Sequence, residues 1–188
     1  MKAPALILGA LVVSGCAASH VDHFYVIETA PGSARESTAA FTRQVTLRVS
    51  VPSLVDRSAM VISTPDGVAV LEHQRWAAPL SDLITSALAR DIERQRGDVV
   101  VLPHHLDKAG VPVTAIAIDV DEVRARLGDQ VSIEAHWRIT DAASGQVSLG
   151  RDVFVSPVHS QSYGAVAEGA SAALGLLADR LIKEIPTQ

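Results

Sequence analysis

Residues 131–155 read VSIEAHWRITDAASGQVSLGRDVFV. In the first ten positions Val131, Ile133, Ala135, Trp137 and Ile139 alternate with Ser132, Glu134, His136, Arg138 and Thr140, the period of two expected of a strand with one buried face. Asp141-Ala142-Ala143-Ser144-Gly145 supplies turn formers, and Gln146 to Val155 reads as a returning strand, so the stretch is an antiparallel hairpin. A sheet with one apolar face must bury it against a second layer. The rest of the chain therefore has to provide helices or a second sheet.

Further strands are expected over Asp98 to Leu102 and Val113 to Val120. In Gln44 to Val51 the apolar Val45, Leu47, Val49 and Val51 share one face, and Pro52, which cannot donate to a ladder, ends the strand. His23 to Ile27 is a first short strand; Met60 to Ser63, the turn Thr64-Pro65-Asp66-Gly67 and Val68 to Leu71 form another hairpin. Ala30 to Thr42, rich in Ala, Ser, Thr, Gly and Pro, reads as a loop. After Pro79, Leu80, Leu83, Ile84, Ala87, Leu88 and Ile92 follow helical spacing, and Arg94, Arg96 and Gly97 are stop signals. A second helix runs from about Ser162 to Ile185, with Pro186 ending it. Its stripe of Tyr163, Val166, Ala170, Leu174, Leu177, Leu181 and Ile185 is diluted by Gly164, Gly169 and Gly175, so this helix requires close packing to persist. The expected architecture is α+β: one domain, a mostly antiparallel sheet, and two long helices on one face of it.

With 188 residues the chain suits one domain, and 16 Lys+Arg against 21 Asp+Glu with 48% apolar residues excludes a disordered polyelectrolyte. A formal charge of −5 without a concentrated basic face argues against nucleic acid as a partner. The single Cys excludes an internal disulfide framework and any multi-cysteine metal site.

That Cys lies at the end of an address. Lys2, the apolar and small run Ala3 to Val13, and Ser14-Gly15-Cys16 describe an export signal too short to span a bilayer. Val13-Ser14-Gly15-Cys16 resembles the lipobox of bacterial lipoproteins, which implies cleavage between Gly15 and Cys16 and a diacylglyceryl group and N-acyl chain, such as palmitate, on Cys16. The divisions expected are a signal peptide over 1–15, a lipidated N-terminus and short tether over 16–23, and a folded domain over 24–188. Removing residues 1–15 takes away Lys2 alone among the charges, so the mature 173-residue chain carries −6. Ala17, where an Asp would retain the protein at the inner membrane, implies by the same resemblance a periplasm-facing position on the outer membrane. Ala17 to His23 reaches about 25 Å when extended, so the domain is held close to the bilayer.

Catalytic patterns are missing. His104 and His105 are adjacent, His20 and His23 flank the tether, and His73, His136 and His159 are isolated, with no H-E-x-x-H or comparable ligand spacing. Asp119 and Asp121 share a strand face, either as paired acid/base carboxylates or, with Glu122, Arg124 and Arg126 beside them, as a solvated strand end. Arg90, Arg94 and Arg96 either attract anionic head groups or, with Asp91 and Glu93 interspersed, form the exposed face of a helix. No nucleophile elbow or Walker-type loop occurs, so the expectation is a non-enzyme with no catalytic residues, no metal and no cofactor beyond its covalent lipid.

Three segments occur in a meaningful order: Phe24-Tyr25-Val26-Ile27, Val49-Ser50-Val51-Pro52-Ser53-Leu54-Val55-Asp56-Arg57, and Arg75-Trp76-Ala77-Ala78-Pro79-Leu80. Together they resemble the ABC-type transport auxiliary lipoprotein family, which includes PqiC/YmbA-like proteins, over essentially the whole mature chain. Phe24-Tyr25 stands where a Tyr-Tyr pair is usual, a change that keeps an aromatic strand. The resemblance implies an outer-membrane component of an intermembrane lipid transport system. Its partners would be an MCE-domain protein and inner-membrane transporter components, it would dock the periplasmic conduit, and it allows self-association into a homo-oligomeric ring. Trp76 with Pro79 either sets the helix start or, with Arg75, lies at a partner or oligomer contact; Asp56 and Arg57 are either a plain connection or a contact loop. The competing function is a ligand-binding or envelope-assembly lipoprotein with a small apolar cavity between sheet and helices.

Overall fold

The computed structural model describes residues 21–29, 43–102 and 113–186. Ala30 to Thr42, Gly15, Cys16, His20, His104 and His105 lie outside the described residues. In chain order the elements are β1 (His23–Tyr25), β2 (Arg43–Ser50), β3 (Ala59–Thr64), β4 (Gly67–Trp76), α1 (Leu80–Gln95), β5 (Val99–Leu102), β6 (Val113–Ala125), β7 (Gln130–Asp141), β8 (Val147–Pro157) and α2 (Tyr163–Glu184).

The hairpin read from 131–155 is β7–β8, antiparallel, with Trp137 opposite Gly150 and Thr140 opposite Val147. It continues into β6, β2 and β5 as a five-stranded sheet of order β5-β2-β6-β7-β8. Both helices cover one face of that sheet, α1 over β2 and β5, α2 over β7 and β8, and they also pack on each other. The α+β class and the helix placement are as expected. The single sheet is not: β1, β4 and β3 form a separate three-stranded sheet, and both sheets are mixed. Among the described residues three of the six pairings are parallel, β1 with β4 and β2 with both β5 and β6. The separation begins at Pro52, whose carbonyl accepts from the amides of Val55 (3.0 Å) and Asp56 (2.9 Å) and turns the chain out of the β2 ladder. Parallel neighbours require crossover connections, and α1 lies in the crossover from β2 to β5.

Apolar alternation decides which face is covered. Val131, Ile133, Ala135, Trp137 and Ile139 of β7 join Ile116 and Ile118 of β6, Ile84, Leu88 and Ile92 of α1, and Leu174, Leu177 and Leu181 of α2 in one core. The small residues of α2 permit close approach, as the sequence required. A Cβ at Gly169 would lie 3.1 Å from Val158 Cγ2 and 3.3 Å from Val131 Cγ2, ahead of any side chain. Gly150 makes room of another kind, because a Cβ there would overlap the six-membered ring of Trp137. The Ser162 hydroxyl accepts from the Ala165 amide at 3.1 Å and starts α2.

β6 runs past its expected end at Val120. A register shift between Val120 and Glu122 inserts a bulge, after which Ala125 is again buried and Val123 packs against the core. The acidic pair Asp121-Glu122 interrupts the alternation, which conceals this extension in the sequence.

Candidate functional site

The segment leading into α1 is built from three distant pieces. The Trp76 amide donates to Ser58 O at 2.6 Å and the Ala77 amide to Tyr25 O at 2.8 Å, joining β4 to the connection before β3 and to β1. Pro79 stands at the N-cap without a side-chain acceptor of its own. Asp56 Oδ1 takes that role from 25 residues upstream, accepting from the Ser81 amide at 2.9 Å. A carboxylate at the positive end of a helix is favourable on charge as well as on hydrogen bonding.

Trp76 is only 6% exposed. With Ile27, Val55, Leu80, Ile84 and Leu174 it lines an interior apolar gap of about 20 Å³, space on the scale of one water molecule. Trp76 thus packs inside the protein, lining the same gap as Leu80 at the first position of α1. Arg75 is half-buried and donates to Glu72 O at 3.5 Å, Asp56 is half-buried on the helix start, and Arg57 alone of the four presents an exposed side chain.

The other charged candidates are engaged within the fold. His136 lies between Asp121 (Nδ1, 3.1 Å) and Asp119 (Nε2, 3.5 Å), and Arg151 joins Glu134 at 2.6 Å on the same outer sheet face. The two aspartates therefore face a histidine and an arginine rather than each other. Arg90 donates to Ile27 O, Arg94 pairs with the buried Asp91, and Arg96 chelates Asp98 and reaches the carbonyls of Ile185 and Pro186. Arg96 thereby joins the C-terminal ends of the two helices. Among the described residues no group of three or more His, Cys, Asp or Glu is arranged to hold a metal.

Two polar clusters escaped the sequence reading. Trp137 Nε1 donates to Glu184 Oε2 at 2.9 Å, the Ser148 hydroxyl donates to the same oxygen at 2.8 Å, and Arg180 pairs with Oε1 at 3.2 Å while lying over the indole. The last turns of α2 are thereby fastened to β7 and β8. Near the β7–β8 turn Asp141 accepts from Arg43 (2.9 Å), Thr114 (3.0 Å) and the Ser144 hydroxyl (2.7 Å), tying β2, β6 and that turn together. The Ser144 hydroxyl above all, with Thr114 and the Arg43 guanidinium, holds the Asp141 carboxyl below its usual range against the opposing effect of burial.

A carboxylate whose pKa is lower folded than unfolded stabilises the protein fully above the unfolded value, and that contribution is lost as pH falls through the folded value. Acidification below about pH 4 should therefore lower the urea midpoint. Asp141→Asn should cost about 1–3 kcal/mol at neutral pH and flatten the acid limb, measured by urea titrations at neutral and acid pH.

A family model described as the ABC-type transport auxiliary lipoprotein component matches residues 25–181. The chain belongs to this family. The match spans every element from the end of β1 to the last turn of α2, so the family's domain is the whole two-sheet unit. A crystal structure of an uncharacterized protein superposes with a TM-score of 0.72 at 16% identity, over 88% of this chain and 99% of that one. A protein of the family DUF330 from Xanthomonas campestris superposes at 0.63 with 19% identity, over 86% of this chain and 92% of that one. Both share the fold. No curated protein matches the chain by sequence. The chain is thus an auxiliary lipoprotein component of ABC-type transport, and among its described residues no helix is long and apolar enough to cross a membrane.

Proposed function

We propose that this protein is a non-enzymatic outer-membrane lipoprotein, held by acyl chains on Cys16, that docks the periplasmic conduit of an MCE/ABC-type intermembrane lipid transport system. The family match over residues 25–181 carries this reading. The interior supports a docking role over a carrier role. Its enclosed apolar gap of about 20 Å³ takes no acyl chain, since small-molecule pockets begin near 300 Å³, and the larger clefts of about 510 and 450 Å³ are open and lined in part by charged side chains. The protein then contributes surface and position, with no cofactor and no reaction of its own.

Affinity purification from a crosslinked envelope of the native host, followed by native mass spectrometry, tests this. Recovery of an MCE-domain protein in stoichiometric amount, with no phospholipid bound to the separated domain, is the expected result. Stoichiometric lipid in the domain and no MCE-domain protein would replace docking by the ligand-binding reading.

A further inference from the structure

The described chain begins at Val21, five residues after Cys16. Five residues extend at most about 18 Å at ~3.5 Å per residue, so acyl chains on Cys16 keep the approach to β1 within that distance of a bilayer. From there the chain alternates. Tyr25 and Ile27 turn inward, Tyr25 donating to Gln74 Oε1 at 2.7 Å and Ile27 lying in the core, while Phe24 and Val26 turn outward, 63% and 49% exposed.

Helix α2 lies alongside. The Glu28 amide donates to the Ser171 hydroxyl oxygen at 3.1 Å, and Phe24 and Val26 share an open cleft of about 450 Å³ with Glu168 and Ala172. Leu176, 48% exposed, is one turn on from Ala172 along the same helix face. Apolar side chains thus run from β1 across to α2 on the side where the tether enters. The charges beside them are acidic. Glu28 and Glu168 line the cleft without an ion-pair partner among the described residues, and its described lining includes no Lys, Arg or His. Arg90, which reaches Ile27 O from α1, is not part of that lining, and Asp22 is matched by His73. Two carboxylates at the edge of an apolar strip are repelled by an anionic surface and suit one that presents ammonium groups.

We propose that Phe24, Val26 and Leu176 seat the domain on the bilayer that holds Cys16, with Glu28 and Glu168 meeting the ammonium groups of phosphatidylethanolamine. That head group donates hydrogen bonds to a carboxylate, strengthened by charge on both sides. The seat orients the domain rather than anchoring it, because a few exposed side chains do not replace two acyl chains. Leu149 projects from the face of the five-stranded sheet opposite α2 and is left in water, although it is 68% exposed. The seat rests on the reading that Cys16 is acylated.

Tryptophan reporters in the protein purified from membranes and reconstituted into vesicles test it. The vesicles contain phosphatidylethanolamine and a phosphatidylcholine brominated near the head of its acyl chains. Phe24→Trp and Leu176→Trp each add an indole at an exposed position, and its emission should fall by about half against unbrominated vesicles, since interfacial side chains lie about 5–10 Å deep. Buried Trp76 and Trp137 give the background to subtract. Leu149→Trp, at a residue more exposed than either, should show no added quenching. Exchanging the phosphatidylethanolamine for phosphatidylglycerol should relieve the quenching at 24, and Glu28→Gln with Glu168→Gln should remove that dependence on lipid. Absence of added quenching at 24 or at 176, equal quenching at 149, or quenching at 24 unchanged in phosphatidylglycerol would overturn the proposal. Intact mass judges the anchor separately: if the thiol proves unmodified the anchor reading fails, and the same protein coupled through its single Cys to a maleimide lipid still tests the seat.

Discussion

Trp137→Ala should lower the unfolding free energy by about 3–5 kcal/mol, the range for removing a buried large aromatic. The site places the effect at the upper end of that range. The indole is 2% exposed, fills the space left by Gly150, and packs against Phe154 in a tilted arrangement with ring centres 6.1 Å apart. Its loss also leaves Glu184 without the Nε1 donor, while Arg180 loses the ring beneath it. Trp137→Phe retains most of the apolar area and should cost about 1–3 kcal/mol, chiefly through the lost hydrogen bond to a charged acceptor. Gly150→Ala approaches the same contact from the other side and should cost about 1–3 kcal/mol by overpacking. Urea midpoints for the three variants measure this series. Equal small losses in all three would show that α2 is not fastened through the indole.

The same residues mark how far the sequence can be read. Alternation in 131–140 revealed the strand, its buried face and the hairpin, because each is a local pattern of side-chain type. Both helices were legible for the same reason. The division into two sheets was not, since parallel pairing of β1 with β4, or of β2 with β5 and β6, leaves no local signature and joins segments dozens of residues apart. The contact between Trp137 and Glu184 spans 47 positions, and the cap from Asp56 to Ser81 spans 25. Gly150 reads as a weak point in a strand until the indole beside it is seen. Trp76 was noted as a residue of consequence, but only the structure places it on the inner wall of the apolar gap. The last residues of β6, 121–125, were not legible because they lie beyond a bulge that the alternation hides.

Cys16→Ala should move the protein from the membrane to the soluble fraction almost completely. Each buried CH₂ contributes about 0.8 kcal/mol, and two or more chains are needed for stable attachment, so the thiol is the point on which attachment turns. Nothing else described in the chain replaces it. No helix among the described residues is long and apolar enough to cross a bilayer, and the chain that cleavage before Cys16 would leave carries a net charge of −6, unfavourable beside anionic head groups. Exposed Val21 and Phe24 beside the tether add only a small apolar area. Fractionation with a carbonate wash, comparing the variant with the native chain, measures the effect; retention of the variant would mean that the domain holds the membrane by its own surface.

The intact mass of the protein recovered from the envelope of its native host bears most directly on the whole account. A chain beginning at Cys16 and heavier than its 173 residues by a diacylglyceryl group and an N-acyl chain is the result predicted here. A chain with an unmodified thiol at residue 16 would contradict it.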